Sequence, residues 1–270
     1  MFERGIEIKT PAQIESMREA GLVVASTLEL LRRSAVAGIT TAELDSIAHD
    51  HIRSQGATSN FLGYHGFTGV ICTSVNDQVV HGIPGTRVLR DGDIISIDCG
   101  AIVDGWHGDA ATTVAIGDVP AEVADLMRVT EQALWRGIAA ARLGGRVSDI
   151  SHAVEATVDA AGDFGIVEGY TGHGIGSAMH QPPNVPNYGK AGRGPKLVKG
   201  LALAVEPMVT LGSPETRTLA DDWTVVTTDG SWAAHYEHTF TITDAGLWVL
   251  TAADGGQSRL AELGVPYGGH

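Results

Sequence analysis

The stretch SIDCGAIVDGWHGDAATT, residues 96–113, constrains the chain more than any other. Two β-prone runs flank Asp104-Gly105, and an Asp-Gly pair between such runs signals a two-residue hairpin. With those two residues as the turn, Val103 faces Trp106 and Gly100 pairs with Asp109. Side chains alternate along a strand, so Asp98 and Gly100 share a face. Asp109 joins them there, diagonal to Asp98 at roughly 7–8 Å, and Gly100 leaves space above it. A register slip of one residue would send the set to the other face. Buried carboxylates without partners are costly. The two aspartates therefore either face solvent on an amphipathic hairpin or reach toward a shared cation.

At 270 residues the chain can bury a sizeable core, as one large domain or two fused halves. Its 43% hydrophobic and 19% charged content suits a soluble globular protein, and a formal charge of −14 argues against a general nucleic-acid or anionic-membrane binder. Two cysteines, Cys72 and Cys99, are too few for a disulfide framework, so a reducing cytoplasm is expected. The start, MFERGIEIKT, carries Glu3, Arg4, Glu7 and Lys9 and has no apolar core of signal-peptide length. No apolar run approaches the roughly 18 residues of a membrane span.

Thr10-Pro11-Ala12-Gln13 reads as a capped helix start. That helix is expected to run to about Ala37, with Ile14, Met17, Leu22 and Val23 on its apolar side and Gly38 as its stop. Thr40 to Glu43 opens a second helix, with Leu44, Ile47, Ala48 and Ile52 on one face and Gly56 at its end. Strands are expected at 69–74, 94–103 and 106–115. The order then recurs: helices at about 120–143 and 148–161, followed by strands at 201–211, 223–228 and 240–243. His65-Gly66 and His173-Gly174 lie 108 positions apart, as do Asp98 and Glu206. Two pairs at one offset do not establish a duplication. They agree with a pseudo-twofold arrangement, halves at about 10–115 and 120–251, with the site between them. The Gly-rich tail 254–270 is expected on the surface, and no linker divides the chain, so 1–270 reads as a single domain.

The second half offers partners for the hairpin. LALAVEP ends an apolar strand in Glu206 before Pro207, AAHYEHT places Glu237 ahead of FTIT, and His173 sits in the loop GHGIG. Each has a structural explanation when taken singly. Together they make four carboxylates and one imidazole, a donor set suited to Mn, Fe, Co or Zn. Two carboxylates 4 Å apart repel by about 4 kcal/mol at an effective dielectric near 20. Two divalent cations would balance four of them, and bridging carboxylates could hold the cations roughly 3.5–4 Å apart.

These residues make the resemblance specific. The chain resembles the type I methionine aminopeptidases from the first helix to about Thr251. It does so through Tyr64-His65-Gly66, Ser74-Val75-Asn76 leading to His81-Gly82-Ile83-Pro84, Asp98 with His107-Gly108-Asp109, Gly172-His173-Gly174-Ile175-Gly176, Glu206-Pro207-Met208 and Tyr236-Glu237-His238-Thr239. The resemblance implies an α+β pita-bread fold, two pseudo-twofold halves with an antiparallel sheet covered by helices. It implies that Asp98, Asp109, His173, Glu206 and Glu237 bind two divalent metals, with Asp109 and Glu237 bridging. The implied reaction removes the N-terminal methionine of peptides and nascent chains that have a small second residue. In it Glu206 moves a proton, His180 binds the carbonyl oxygen, and His81 positions substrate and shuttles a proton to the leaving amine. Apart from the resemblance, either histidine could be structural.

Tyr64, Phe67, Cys72, Met179 and Trp223 are the candidate walls of a methionine pocket, with plain core packing the alternative for Phe67 and Cys72. Met179 stands where the family leads one to expect an aromatic, Phe61 where a smaller residue is common, and Cys99-Gly100 where other small residues follow the aspartate. Prolidase-like relatives carry an additional N-terminal domain, whereas about nine residues precede the first helix here. The 31-residue step from Glu206 to Glu237 leaves little room for the type II insertion, and the cysteine count excludes a zinc-binding extension. A binding module that has lost catalysis would lack ligands, and all five are present. The resemblance favours a monomer, and with Phe2 after Met1 it implies that the chain keeps its own methionine. Lys190, Arg193, Lys196 and Lys199 form a basic stretch without an intervening acid. It is either a solvated loop or a contact to ribosomal RNA.

Overall fold

The computed structural model of the chain describes residues 5–270; Met1, Phe2, Glu3 and Arg4, and the expectations attached to them, lie outside the described residues. Thr10 caps helix α1 (Pro11–Ser34) through a reciprocal capping box with Gln13, and Thr40 caps α2 (Thr41–Ser54) in the same way with Glu43. The second half repeats the pair as α3 (Ala121–Ala140) and α4 (Val147–Ala161). Helix α1 ends earlier than expected. Past Ala35 the chain turns away to hydrogen-bond the backbone of Leu89 through Gly38 and Ile39, a tertiary pairing that outcompetes another helical turn. Leu22, expected on the apolar side, is exposed; the buried stripe is Ile14, Met17, Gly21, Val24, Leu28 and Leu31.

The large sheet has nine strands: β1 (Thr58–Ser59), β2 (Ile71–Val75), β3 (Ile94–Val103), β4 (Trp106–Ala115), β5 (Gly172–Gly174), β6 (Gln181–Val185), β7 (Ala202–Val205), β8 (Glu237–Ile242) and β9 (Leu247–Val249). Its order is β1-β3-β4-β8-β7-β5-β6, with β2 also on β3 and β9 on β8. Every strand pairing is antiparallel. The β4–β8 pairing joins the two halves. The expected strand 201–211 is split at Glu206-Pro207, because Pro207 has no N–H to continue the ladder. Met208–Thr210 then pairs in a smaller sheet with Ala233–His235.

Helices cover one face of the large sheet. Ile95, Ile97, Cys99 and Ala101 of β3 pack under α1 and α2, while Leu203, Val205, Phe240 and Val249 pack under α3 and α4. The tail is not a loose surface segment. Helix α5 (Gln257–Glu262) buries Leu260, and the backbone of Leu247 on β9 bonds both Pro266 and Gly268. No helix among the described residues is long and apolar enough to cross a membrane.

Two glycines set how closely α1 approaches the sheet. A Cβ on Gly108 of β4 would lie 2.8 Å from the Gly21 nitrogen, and a Cβ on Gly21 would collide with the Leu250 carbonyl. Alanine normally favours a helix interior over glycine by about 1 kcal/mol. At Gly21 the sign should reverse: Gly21→Ala forces α1 off the sheet and costs about 1–3 kcal/mol, as overpacked core sites do. The melting temperature should fall, and a rise would contradict the close approach.

Candidate metal centre

The hairpin closes as its Asp-Gly turn requires, with Asp104 at φ 47° and Gly105 at φ 81°. Val103 pairs with Trp106, Gly100 with Asp109, and Asp98 with Ala111. Directly opposed residues share a face, so the register can be followed across the whole sheet. Ala111 opposes Glu237, which puts Glu237 on the face of Asp98 and Asp109. His238 opposes Val205 on the helix-covered face, so Glu206, one residue on, turns back to the first face. Gly174 opposes Leu203, which returns His173 to it as well. β3, β4, β8, the end of β7 and β5 thus each deliver one polar side chain to one surface.

The side chains converge. Ligand atoms of Asp98, Asp109 and Glu237 lie within 4.8 Å of one another, and so do those of His173, Glu206 and Glu237. A third such group is Asp109, His173 and His180. His173 Nε2 is 3.4 Å from Glu206 Oε1. His173 Nδ1 lies 3.0 Å from the Gly174 carbonyl, so the neutral ring donates there and leaves Nε2 with its lone pair toward the carboxylates.

Burial makes this cluster unstable by itself. It pushes the Asp98 carboxyl up to about 7, and it raises Asp109, Glu206 and Glu237 well above the usual carboxylate range, with the neighbouring carboxylates adding to the rise. Asp98 Oδ1, Asp109 Oδ1 and Glu237 Oε1 are buried without any hydrogen-bond partner. Orphaned carboxylate oxygens facing one another, with one imidazole lone pair among them, fit divalent cations. His81 and His173 are held neutral, their pKa values lowered by burial to about 4 and about 3.

The twelve residues named from sequence for the centre and its pocket line one cavity, and Phe61 joins them. Cys72 pairs with Asp98 across β2 and β3, which turns its thiol toward the cavity. The Phe67 ring meets Phe61 and Trp223 edge-on at centroid distances of 6.5 and 5.0 Å, and Ile83 packs against this group. Tyr64 Oη lies 2.8 Å from His180 Nδ1. His65, matched with His173 by spacing, is not among the lining residues.

Sequence reasoning missed two further neighbours. The space expected above Gly100 is filled by Asn60, whose Nδ2 donates to the Gly108 carbonyl at 3.2 Å. Only Gly100 itself signalled that something must approach so closely. His235, two residues before Glu237, is fully buried with Nε2 at 3.8 Å from Glu206 Oε2. Its signal is the first histidine in AHYEH, which reads equally well as packing. Of the basic stretch, Lys199 pairs with Asp244, while Lys190, Arg193 and Lys196 are exposed.

Residues 15–244 match the model of metallopeptidase family M24. The chain is 51% identical over 250 residues to the methionine aminopeptidase of Clostridium acetobutylicum, covering 92% of this chain and all of that one. It is 50% identical over 243 residues to methionine aminopeptidase 1 of Bacillus subtilis, covering 90% and 98%. The crystal structure of methionine aminopeptidase from Thermotoga maritima superposes with a TM-score of 0.90 at 41% identity, covering 92% and 99%.

The metal-free protein should reveal the strained carboxylates. A carboxyl whose pKa is higher folded than unfolded stabilises below its unfolded value, and that contribution is lost as pH rises through the folded one. Above about pH 7.5 the buried histidines are neutral in both states, so between about pH 7.5 and 8.5 the carboxylates dominate. The melting temperature after chelation should fall across that range, and saturating Mn²⁺ should largely abolish the slope. A flat profile without metal would contradict the arrangement.

Proposed function

The chain belongs to metallopeptidase family M24 and, within it, to the methionine aminopeptidases of pita-bread fold, and on that premise we propose that it hydrolyses the first peptide bond of chains that begin with methionine and have a small second residue. The observation that carries this reading is one cavity shared by the polar cluster and an apolar wall. The cluster suits a peptide carbonyl and the wall a thioether side chain.

Two divalent cations, from among Co, Mn, Fe and Zn, would be held by Asp98, Asp109, His173, Glu206 and Glu237. Glu237 and Asp109 each belong to two of the three close ligand groups, so each would help to hold both cations. When bound, the cations polarise the scissile carbonyl and lower the pKa of the attacking water. Glu206, at the end of β7 beside the other carboxylates, takes the proton from that water. Tyr64 holds His180 at Nδ1, and in the tautomer with its N–H on Nε2 the ring donates that proton to the carbonyl oxygen as negative charge develops. His81 stands beside Trp223, ring centroids 6.1 Å apart, where it positions the substrate and, itself neutral, relays to the leaving amine the proton that Glu206 took from the water. Tyr64, Phe67, Cys72, Met179 and Trp223 receive the methionine side chain, and Phe61 narrows the space. Ligands come from both halves of the chain, so we treat 1–270 as one catalytic domain; its two free cysteines suit a reducing cytoplasm, and the family resemblance favours a monomer.

The direct test supplies chelated protein with Mn, Co, Fe or Zn and measures methionine release from Met-Gly and Met-Phe peptides. Met-Gly should be cleaved and Met-Phe resisted, and Glu206→Gln should lower kcat by about 10²–10⁴. Inactivity with every metal, or equal cleavage of both peptides, would overturn the reading.

We further propose that Lys190, Arg193, Lys196 and Lys199 touch ribosomal RNA near the emerging chain. They form a basic patch on an acidic protein, where such contacts depend on salt. Reversing the four charges should reduce co-sedimentation with ribosomes at low salt; unchanged binding would exclude the contact.

A further inference from the structure

The loop 175–180 carries Met179 and His180 past the metal centre without regular structure of its own. Its first part is anchored to the large sheet: Ile175 N–H donates to the Ala202 carbonyl at 3.2 Å, and Gly176 accepts from His107 N–H at 3.0 Å. Beyond Gly176 those sheet contacts stop. Among the described residues, the stretch 177–180 is then tied by polar contacts to neighbouring His173, which meets the Met179 backbone, and to two points farther along the chain. One is Tyr64 on His180. The other is Glu7, whose Oε2 accepts from Ser177 N–H at 3.0 Å and whose Oε1 accepts from Ser177 Oγ at 2.7 Å. Gln181 Nε2 donates to the same Ser177 Oγ at 3.1 Å, tightening the turn from inside.

Glu7 is not a free surface side chain. Lys9, whose side chain is only 1% exposed, places its ammonium 3.1 Å from the Glu7 carbonyl and 3.5 Å from Glu7 Oε2. A buried ammonium is costly to leave without its partners, so Lys9 holds the carboxylate in place. The segment itself is fastened to the sheet, since Lys9 N–H donates to the Gly200 carbonyl at 2.8 Å and Ile8 bridges to Leu201 just ahead of β7. A Cβ on Gly176 would collide with both Glu7 and Lys9, so the glycine there is what lets this pair lie directly over the loop.

We propose that residues 5–9 are a positioning element of the active site, with Glu7, clamped by Lys9, fixing Ser177 and so setting where His180 and Met179 stand. The proposal rests on His180 acting at the substrate carbonyl. Glu7 touches neither substrate nor cations and acts through the loop, transmitting the rigidity of the sheet to a segment that lacks it. A displacement of about 1 Å in a positioned group can cost on the order of 10²-fold in rate, so a partly loosened loop should cost less.

Glu7→Ala should lower kcat on Met-Gly about tenfold while KM changes less than about twofold. Mn²⁺ affinity by calorimetry should stay unchanged, because His173 lies on β5 ahead of the loop. Glu7→Gln keeps an acceptor for Ser177 and should recover most of kcat. Ser177→Ala, which leaves one of the two bonds, should show a smaller loss in the same direction and serves if Glu7→Ala folds poorly. In a His180→Ala background, Glu7→Ala should lower kcat no further, the non-additivity expected of groups that act as a unit. Wild-type kcat in Glu7→Ala beside an impaired His180→Ala would overturn the arm's role. The same tenfold loss in both backgrounds would overturn it too, since the arm would then support the protein generally. Full kcat in His180→Ala would instead overturn the role given to that histidine.

Discussion

Four carboxylates on one sheet face repel each other, and the structure is organised around that repulsion. Burial leaves three carboxylate oxygens of the cluster without partners and raises the proton affinity of all four groups. Such a cluster persists only on a scaffold that cannot relax. Relaxation here would require breaking the β3–β4–β8–β7 ladder, whose other face is closed by α1 to α4. The apolar faces of four helices therefore hold together what electrostatics would disperse, and divalent cations convert the same cluster from a liability into a binding site.

The antiparallel register does the sorting. Along β3 the odd positions Ile95, Ile97, Cys99 and Ala101 go to the helices, and the even positions Ser96, Asp98 and Gly100 go to the site. Across the strands, direct opposition carries that parity from Asp98 through Ala111 to Glu237. Pro207 plays a different part. By ending β7 before Glu206, it places that carboxylate at a strand terminus, where Asn187 Nδ2 donates to the Glu206 carbonyl.

What could be read in advance followed from local rules. Asp104-Gly105 fixed the hairpin register because few residues tolerate positive φ at both turn positions, and the Thr10 and Thr40 capping boxes marked helix starts because their partners lie three residues away. What could not be read depends on distant chain. The early end of α1 is decided by Leu89, the exposure of Leu22 by where the sheet lies, and the order in the tail by the edge of β9. Asn60, His235 and Glu7 share that difficulty: each is an unremarkable residue until the fold brings it against Gly100, Glu206 or Ser177. The composition of the candidate metal-binding set was legible because few other arrangements tolerate it. Its supporting groups were not, since Asn, His and Glu have many ordinary uses.

The division between sheet and loops also separates two properties of the site. Each polar ligand comes from a strand or its immediate end, while Phe61, Tyr64, Phe67, Met179, His180 and Trp223 come from segments outside the large sheet. Substitutions in those segments can reshape the apolar wall without altering the register that assembles the ligands. His180 belongs to the loop side even though we propose a part for it in the reaction, which is why the anchors of its loop matter. Tyr64 holds the ring itself from the pocket side, and Glu7 holds the backbone from the opposite side through a buried lysine. A residue that must meet a developing charge within a few tenths of an ångström, yet stands on an irregular segment, needs fixed points on both flanks. The 5–9 segment supplies the one that the sheet does not.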